Sequence, residues 1–147
     1  MNYLIPDNKD LHKAVRAKLV RDNWSNDVYR VSKYALGESF KRVLIFGYNG
    51  GITWDSVTKK MEDIRRLIAE EKIGIFDLED IGDGWKEHLS KLMAIEDSFV
   101  QNADRLILAF FCADQEAKRF YTLDSHIIRS DKINSYVKKL DKRIVEV

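Results

Sequence analysis

The stretch Asn102 to Ser125, NADRLILAFFCADQEAKRFYTLDS, decides how the chain is read. Asp104 stands against eight uninterrupted apolar residues, Leu106 to Ala113, and Asp124 closes a strand-like run from Phe120 to Leu123. With Asn102 as its cap, the apolar run predicts a buried helix that continues through a polar tail to about Lys118. Ala103, Ala109, Cys112 and Ala113 are small enough for close packing in a covered layer. Two carboxylates therefore bracket the most apolar part of the chain. An acid beside a core is costly to desolvate unless it is hydrogen-bonded, paired or bound to a metal, which makes these two the first candidates for a site.

Working outward, elements of both kinds alternate. Asp27 to Ser32 carries Val28, Tyr29 and Val31 and predicts a short strand. A helix over Tyr34–Phe46 follows, with Leu36, Phe40, Val43 and Leu44 on one side and Glu38 in its first turn. Leu11, Val15 and Leu19 predict an earlier amphipathic helix from about Asp10 to Asp22, bounded upstream by Pro6. Gly47 to Gly51 reads as a loop, and Thr53 as the cap of a long helix whose inner side is Trp54, Val57, Met61, Ile64, Leu67 and Ile68. Ile73 to Leu78 predicts a buried strand, Trp85 to Phe99 a helix, Ser130 or Asp131 to Leu140 a last helix, and Arg143 to Val147 a closing strand. Strands alternating with helices predict an α/β fold built on a parallel sheet covered on both faces. In such sheets ligands bind at the carboxyl ends of the strands, and this rule turns the element order into a site.

Composition sets wider bounds. The chain has 147 residues, 45% hydrophobic and 33% charged, which fits one globular domain with a core of its own. Its single cysteine, Cys112, excludes an internal disulfide framework and sits within the apolar run, where a core thiol is expected and a nucleophile is not. The N-terminus, MNYLIPDNKDLHK, lacks an apolar signal core, and no stretch has the length of a membrane span, so the expected location is cytoplasmic. A net charge of +1 gives no global case for nucleic acid, but charge is unevenly distributed. Lys9 to Arg21 holds five bases and one acid, Arg129 to Arg143 six bases and two acids, and Asp77 to Asp97 seven acids and two bases. Each basic segment can attract phosphate locally, or can simply be a solvated helix face.

Several motifs fail on inspection. No Gly-Lys-Ser/Thr follows Gly47 to Gly51, so it is not a phosphate-binding loop. Asp77 to Gly84 resembles a calcium loop, but Ile81 and His88 stand where oxygen ligands are required. Arg119 and His126 have the spacing of metal-independent ribonucleases that carry both on a helix, whereas this segment reads as a strand.

Three acids remain: Glu38 after the first strand, Asp104 at the start of the buried helix, and Asp124 at a strand end. Their local sequences are Val31-Ser32-Lys33-Tyr34-Ala35-Leu36-Gly37-Glu38, Ala103-Asp104-Arg105-Leu106-Ile107-Leu108-Ala109 and Tyr121-Thr122-Leu123-Asp124, with Arg143 to Val147 as a closing strand. In this order they resemble the PIN-domain nucleases, many of them ribonuclease toxins of toxin-antitoxin pairs. The resemblance implies a three-layer α/β/α fold around a mostly parallel sheet. It also implies that Glu38, Asp104 and Asp124 hold one or two Mg²⁺ or Mn²⁺ ions that activate water against an RNA phosphodiester. Hard divalent ions prefer carboxylate oxygens, which agrees with this assignment. Thr122 would support the ligands from behind, and Arg129 and Lys132 would hold phosphate. RNA, a small antitoxin protein and a second copy of the chain, as a homo-oligomeric dimer, are the implied partners.

One departure stands out. The family opens with a central strand ending in an aspartate, whereas Met1 to Ile5 looks like the end of the family's first helix, and Asp7-Asn8 follows Pro6 with little strand before it. The expectation is that the natural protein begins upstream of Met1, with Asp7 as the alternative source of the first acid. A non-catalytic PIN-like module that binds RNA or protein is the competing reading.

Overall fold

Ser32 ends one kind of structure and starts another. Its backbone is extended, at φ −72° and ψ 147°, and its hydroxyl accepts from the Ala35 amide at 3.1 Å, so the chain turns from strand β1 (Arg30–Ser32) directly into helix α1 (Lys33–Tyr48). The computed structural model describes residues 29–70, 73–122 and 124–146. The helix expected over Asp10–Asp22, Met1 to Ile5 and Asp7 lie outside the described residues. The chain divides into two units, Met1–Phe76 and Asp77–Val147.

In the first unit β1 pairs in parallel with β2 (Gly74–Phe76), Val31 opposite Ile75. Helix α2 (Trp54–Glu70) starts at Thr53, whose Oγ1 accepts from the Ser56 amide at 3.2 Å, as expected of a cap. Val43, Val57, Ile64 and Leu67 form the core, with Val31, Leu36, Phe40 and Met61 packed around it. Three expectations need correcting. Helix α1 runs through Gly47, because a side chain there would put its Cβ 2.5 Å from Cγ2 of Val57: the glycine lets α1 and α2 approach closely and stays helical. The buried stripe of α1 is Ala35, Ser39, Val43 and Gly47, a strict four-residue repeat, which leaves Leu44 on the exposed side; Trp54 is also exposed.

The second unit begins with a capping box: the Asp77 side chain accepts from the Asp80 amide and the Asp80 carboxylate accepts from the Asp77 amide at 2.7 Å, with Asp77 also accepting from the Leu78 amide at 2.8 Å, at the start of the short helix α3 (Leu78–Ile81). Helices α4 (Gly84–Met93) and α5 (Asn102–Ala113) follow. Next come β3 (Arg119–Thr122), α6 (Ser125–Arg129), α7 (Asp131–Lys138) and β4 (Arg143–Glu146). Strands β3 and β4 pair in parallel, Phe120 opposite Ile144 and Thr122 opposite Glu146. The core contains Leu92, Leu108, Ala109, Cys112, Ile127, Ile133 and Val137. Ser130 caps α7, its hydroxyl accepting from the Ile133 amide at 3.4 Å.

The expected α/β alternation with parallel strands is present, mostly as helix, and the described strands form two separate two-stranded ladders. Both long helices of the second unit end early. The helix expected to reach Phe99 stops at Met93, and the one expected to reach Lys118 stops at Ala113. In each case a buried cation satisfies the released carbonyls. Arg105 donates to the carbonyls of Val100 at 3.1 Å, Ile95 at 2.9 Å, Asp97 at 2.6 Å, and Leu92. Lys142 donates to those of Phe111 at 3.0 Å, Ala117 at 2.7 Å, and Asp114. Helix C-termini leave their last carbonyls without helical partners, and these side chains fill that role from a distance in sequence. Among the described residues no helix is long and apolar enough to cross a membrane.

Candidate functional site

At the carboxyl end of β3 the buried hydroxyl of Thr122 accepts from the Asp124 amide at 3.0 Å. The bond fixes the main chain of Asp124 as it leaves the strand. One oxygen of the Asp124 carboxylate in turn accepts from the His126 amide at 2.8 Å, which makes Asp124 the cap of α6, while the side chain remains half-buried.

The connection over 114–118 joins α5 to β3, with Phe111 and Phe120 packed ring to ring at 5.4 Å on either side of it. Asp104 occupies the first turn of α5, half-buried, where the helix dipole favours an acid. Asn102 is the first helical residue and does not cap; the cap position belongs to Gln101, which makes no capping side-chain bond.

The segment that leads into α5 is fastened to α6 and α7. The Ser130 hydroxyl donates to the Asp97 carboxylate at 2.5 Å, Lys132 Nζ donates to the Glu96 carbonyl at 3.0 Å, and the Phe99 and His126 rings stack at 5.6 Å. The segment that leads into the Asp104 helix is thus in contact with the two helices that follow Asp124. The Ser130 hydroxyl, helped by the Phe99 and Val100 amides, holds the Asp97 carboxyl below the usual carboxylate range. An open depression beside this junction is lined by Ala94, Ile95, Glu96, Asp131, Lys132 and Ser135.

Comparison of the chain with protein-family models, curated proteins and solved structures finds no match.

The remaining predicted residues can be placed one by one. Glu38 lies in α1 of the first unit, beyond the first turn in which it was expected because the helix already begins at Lys33, half-buried and 3.7 Å from the Lys41 ammonium. Arg129 ends α6 and is exposed. Arg119 is in β3 and His126 in α6, so they do not share a helix. Among the described residues no group of three or more His, Cys, Asp or Glu side chains is arranged to hold a metal ion. Asp104 and Asp124 each offer hard carboxylate oxygens, and a third ligand would have to come from outside this pair.

Sequence reasoning missed Arg105, Asp97 and Lys142. Arg105 is 5% exposed and adjoins Asp104, so the first turn of α5 is held by a guanidinium within the fold. An arginine opening an eight-residue apolar run was the available signal, since a charge at a core edge needs partners.

Proposed function

We propose that the chain is a metal-dependent endoribonuclease of the PIN-domain kind, on a three-layer α/β/α fold, hydrolysing RNA phosphodiester bonds. The observation that carries this reading is Asp124 at the carboxyl end of a parallel strand, its backbone tied to Thr122, with the segment that leads into the Asp104 helix fastened to α6 and α7 just beyond it. Asp104 and Asp124 would hold Mg²⁺ or Mn²⁺, and such an ion supplies a nucleophile near neutral pH and charge stabilisation on phosphate. Arg129, exposed just past Asp124, is suited to hold phosphate; Lys132 shares its ammonium with the Glu96 carbonyl. A small antitoxin protein and a second copy of the chain are the partners this reading implies.

A non-catalytic module that binds RNA is the second reading, favoured by the absence of a three-acid group among the described residues. Incubating the purified chain with labelled single-stranded RNA and Mn²⁺ separates the two. Cleavage abolished by Asp104→Asn supports the nuclease, while binding without cleavage supports the module.

A further inference from the structure

Phe99 is a large aromatic side chain, 70% exposed, in the segment between α4 and α5. Exposure of this size on a loop usually accompanies disorder or a weakly held side chain. Here the opposite holds. The Phe99 amide donates to one oxygen of the Asp97 carboxylate at 3.1 Å, while the other oxygen accepts from the Ser130 hydroxyl at 2.5 Å. The Asp97 carbonyl is in turn held by Arg105 at 2.6 Å. The ring then lies against the His126 imidazole, 5.6 Å between centroids and 11° from parallel. Offset, parallel stacking of this kind leaves a broad π-surface toward water.

The neighbours of this surface have a consistent chemistry. His126 gives its amide to Asp124, so the stacked pair lies immediately beside the candidate metal ligand at the end of β3. Arg129 is three residues on from His126 in α6, one turn along the same side, and is exposed. A flat aromatic surface, a guanidinium and an acid at a strand end match the parts of one nucleotide: base, phosphate backbone and scissile bond. Bases in a duplex are stacked on one another and have no face to offer, so only a single strand can use such a surface.

We propose that the Phe99–His126 pair is a stacking platform for an unpaired base of single-stranded RNA, positioned to present the neighbouring phosphodiester to Asp124. The proposal rests on the nuclease reading for the identity of the ligand. The platform itself rests on ring geometry and exposure. It is preorganised by the Asp97 and Ser130 bonds, so binding does not have to order the loop.

The test is equilibrium binding, in excess EDTA, of the purified 147-residue chain to a single-stranded RNA carrying 2-aminopurine and to the same backbone with abasic sites. Stacking quenches 2-aminopurine fluorescence, and Phe99→Ala lowers affinity for the base-bearing RNA about ten-fold. Phe99→Trp retains both the affinity and the quenching, and the abasic strand binds wild type and Phe99→Ala equally. Equal affinity of wild type and Phe99→Ala for the base-bearing RNA overturns the platform. If Mn²⁺-dependent cleavage persists in that case, the nuclease reading stands without it; if the wild type neither binds nor cleaves, both fall. A shift of Phe99→Ala from dimer to monomer with unchanged RNA affinity assigns Phe99 to a protein contact and also overturns the proposal.

Discussion

Arg105 donates from Nη2 to the main-chain carbonyl of Asp97 at 2.6 Å, tying the first turn of α5 to the turn that follows α4. The same guanidinium satisfies the carbonyls of Leu92, Ile95 and Val100, so one buried side chain closes a helix and shapes the loop that carries Phe99. Replacing it with Met keeps much of the volume and removes every donor. Orphaned buried carbonyls make the expected loss about 3 kcal/mol or more, read as a lower denaturant midpoint. Arg105→Lys recovers only part of the loss, because an ammonium cannot reproduce the planar fork.

His88 shares a 2.7 Å hydrogen bond between its Nδ1 and the Tyr136 hydroxyl, with the two rings edge to face at 6.1 Å. Burial, reinforced by the Lys91 charge, holds the imidazole below its ordinary value of 6.5, and burial pushes the Tyr136 hydroxyl up to about 12. Below 6.5 the unfolded chain therefore binds a proton before the folded one does. Stability is full above that pH and declines as the pH falls toward and through the folded value. Thermal melts across this range show a falling midpoint on acidification in the wild type and a flatter profile in His88→Gln. An unchanged slope in the variant rules His88 out as its source.

Cys112 is 5% exposed in the core, and burial pushes its thiol up to about 11. A buried, protonated thiol is a poor nucleophile. A disulfide reagent at pH 8 reacts with the native chain only as fast as the chain opens, and immediately in denaturant. Rapid stoichiometric labelling of native protein contradicts the packing described for α5.

The parts of this fold that were legible in the sequence are those fixed locally. Thr53 and Ser130 are small hydroxyl residues at the start of apolar periodicity, and each caps the predicted helix, whereas Ser32, expected as a strand end, also caps α1. The ends of α4 and α5 were not legible, because their carbonyls are satisfied by Arg105 and Lys142, partners 13 and 31 residues away from Leu92 and Phe111. Helix α6 went unseen for another reason: five residues are too few to show a period, and its only signal was Asp124, already read as a strand end. The extension of α1 through Gly47 depends on the surface of α2, which no local window contains. For the site, the place of Asp124 at a strand end and of Asp104 at a helix start was readable from element order. The hydrogen bonds that fasten the segment before α5 to the start of α7, Asp97 with Ser130 and Lys132 with Glu96, span more than thirty residues and left no pattern.

The most direct test of the central claim is the rate at which the purified chain cleaves labelled single-stranded RNA in Mn²⁺, wild type against Asp124→Asn. Asparagine caps a helix about as well as aspartate, so the variant keeps α6 and loses only the charge. The account predicts Mn²⁺-dependent cleavage by the wild type, reduced about a hundred-fold or more in the folded variant. Equal rates in the two proteins, or no cleavage by folded wild type, would contradict it.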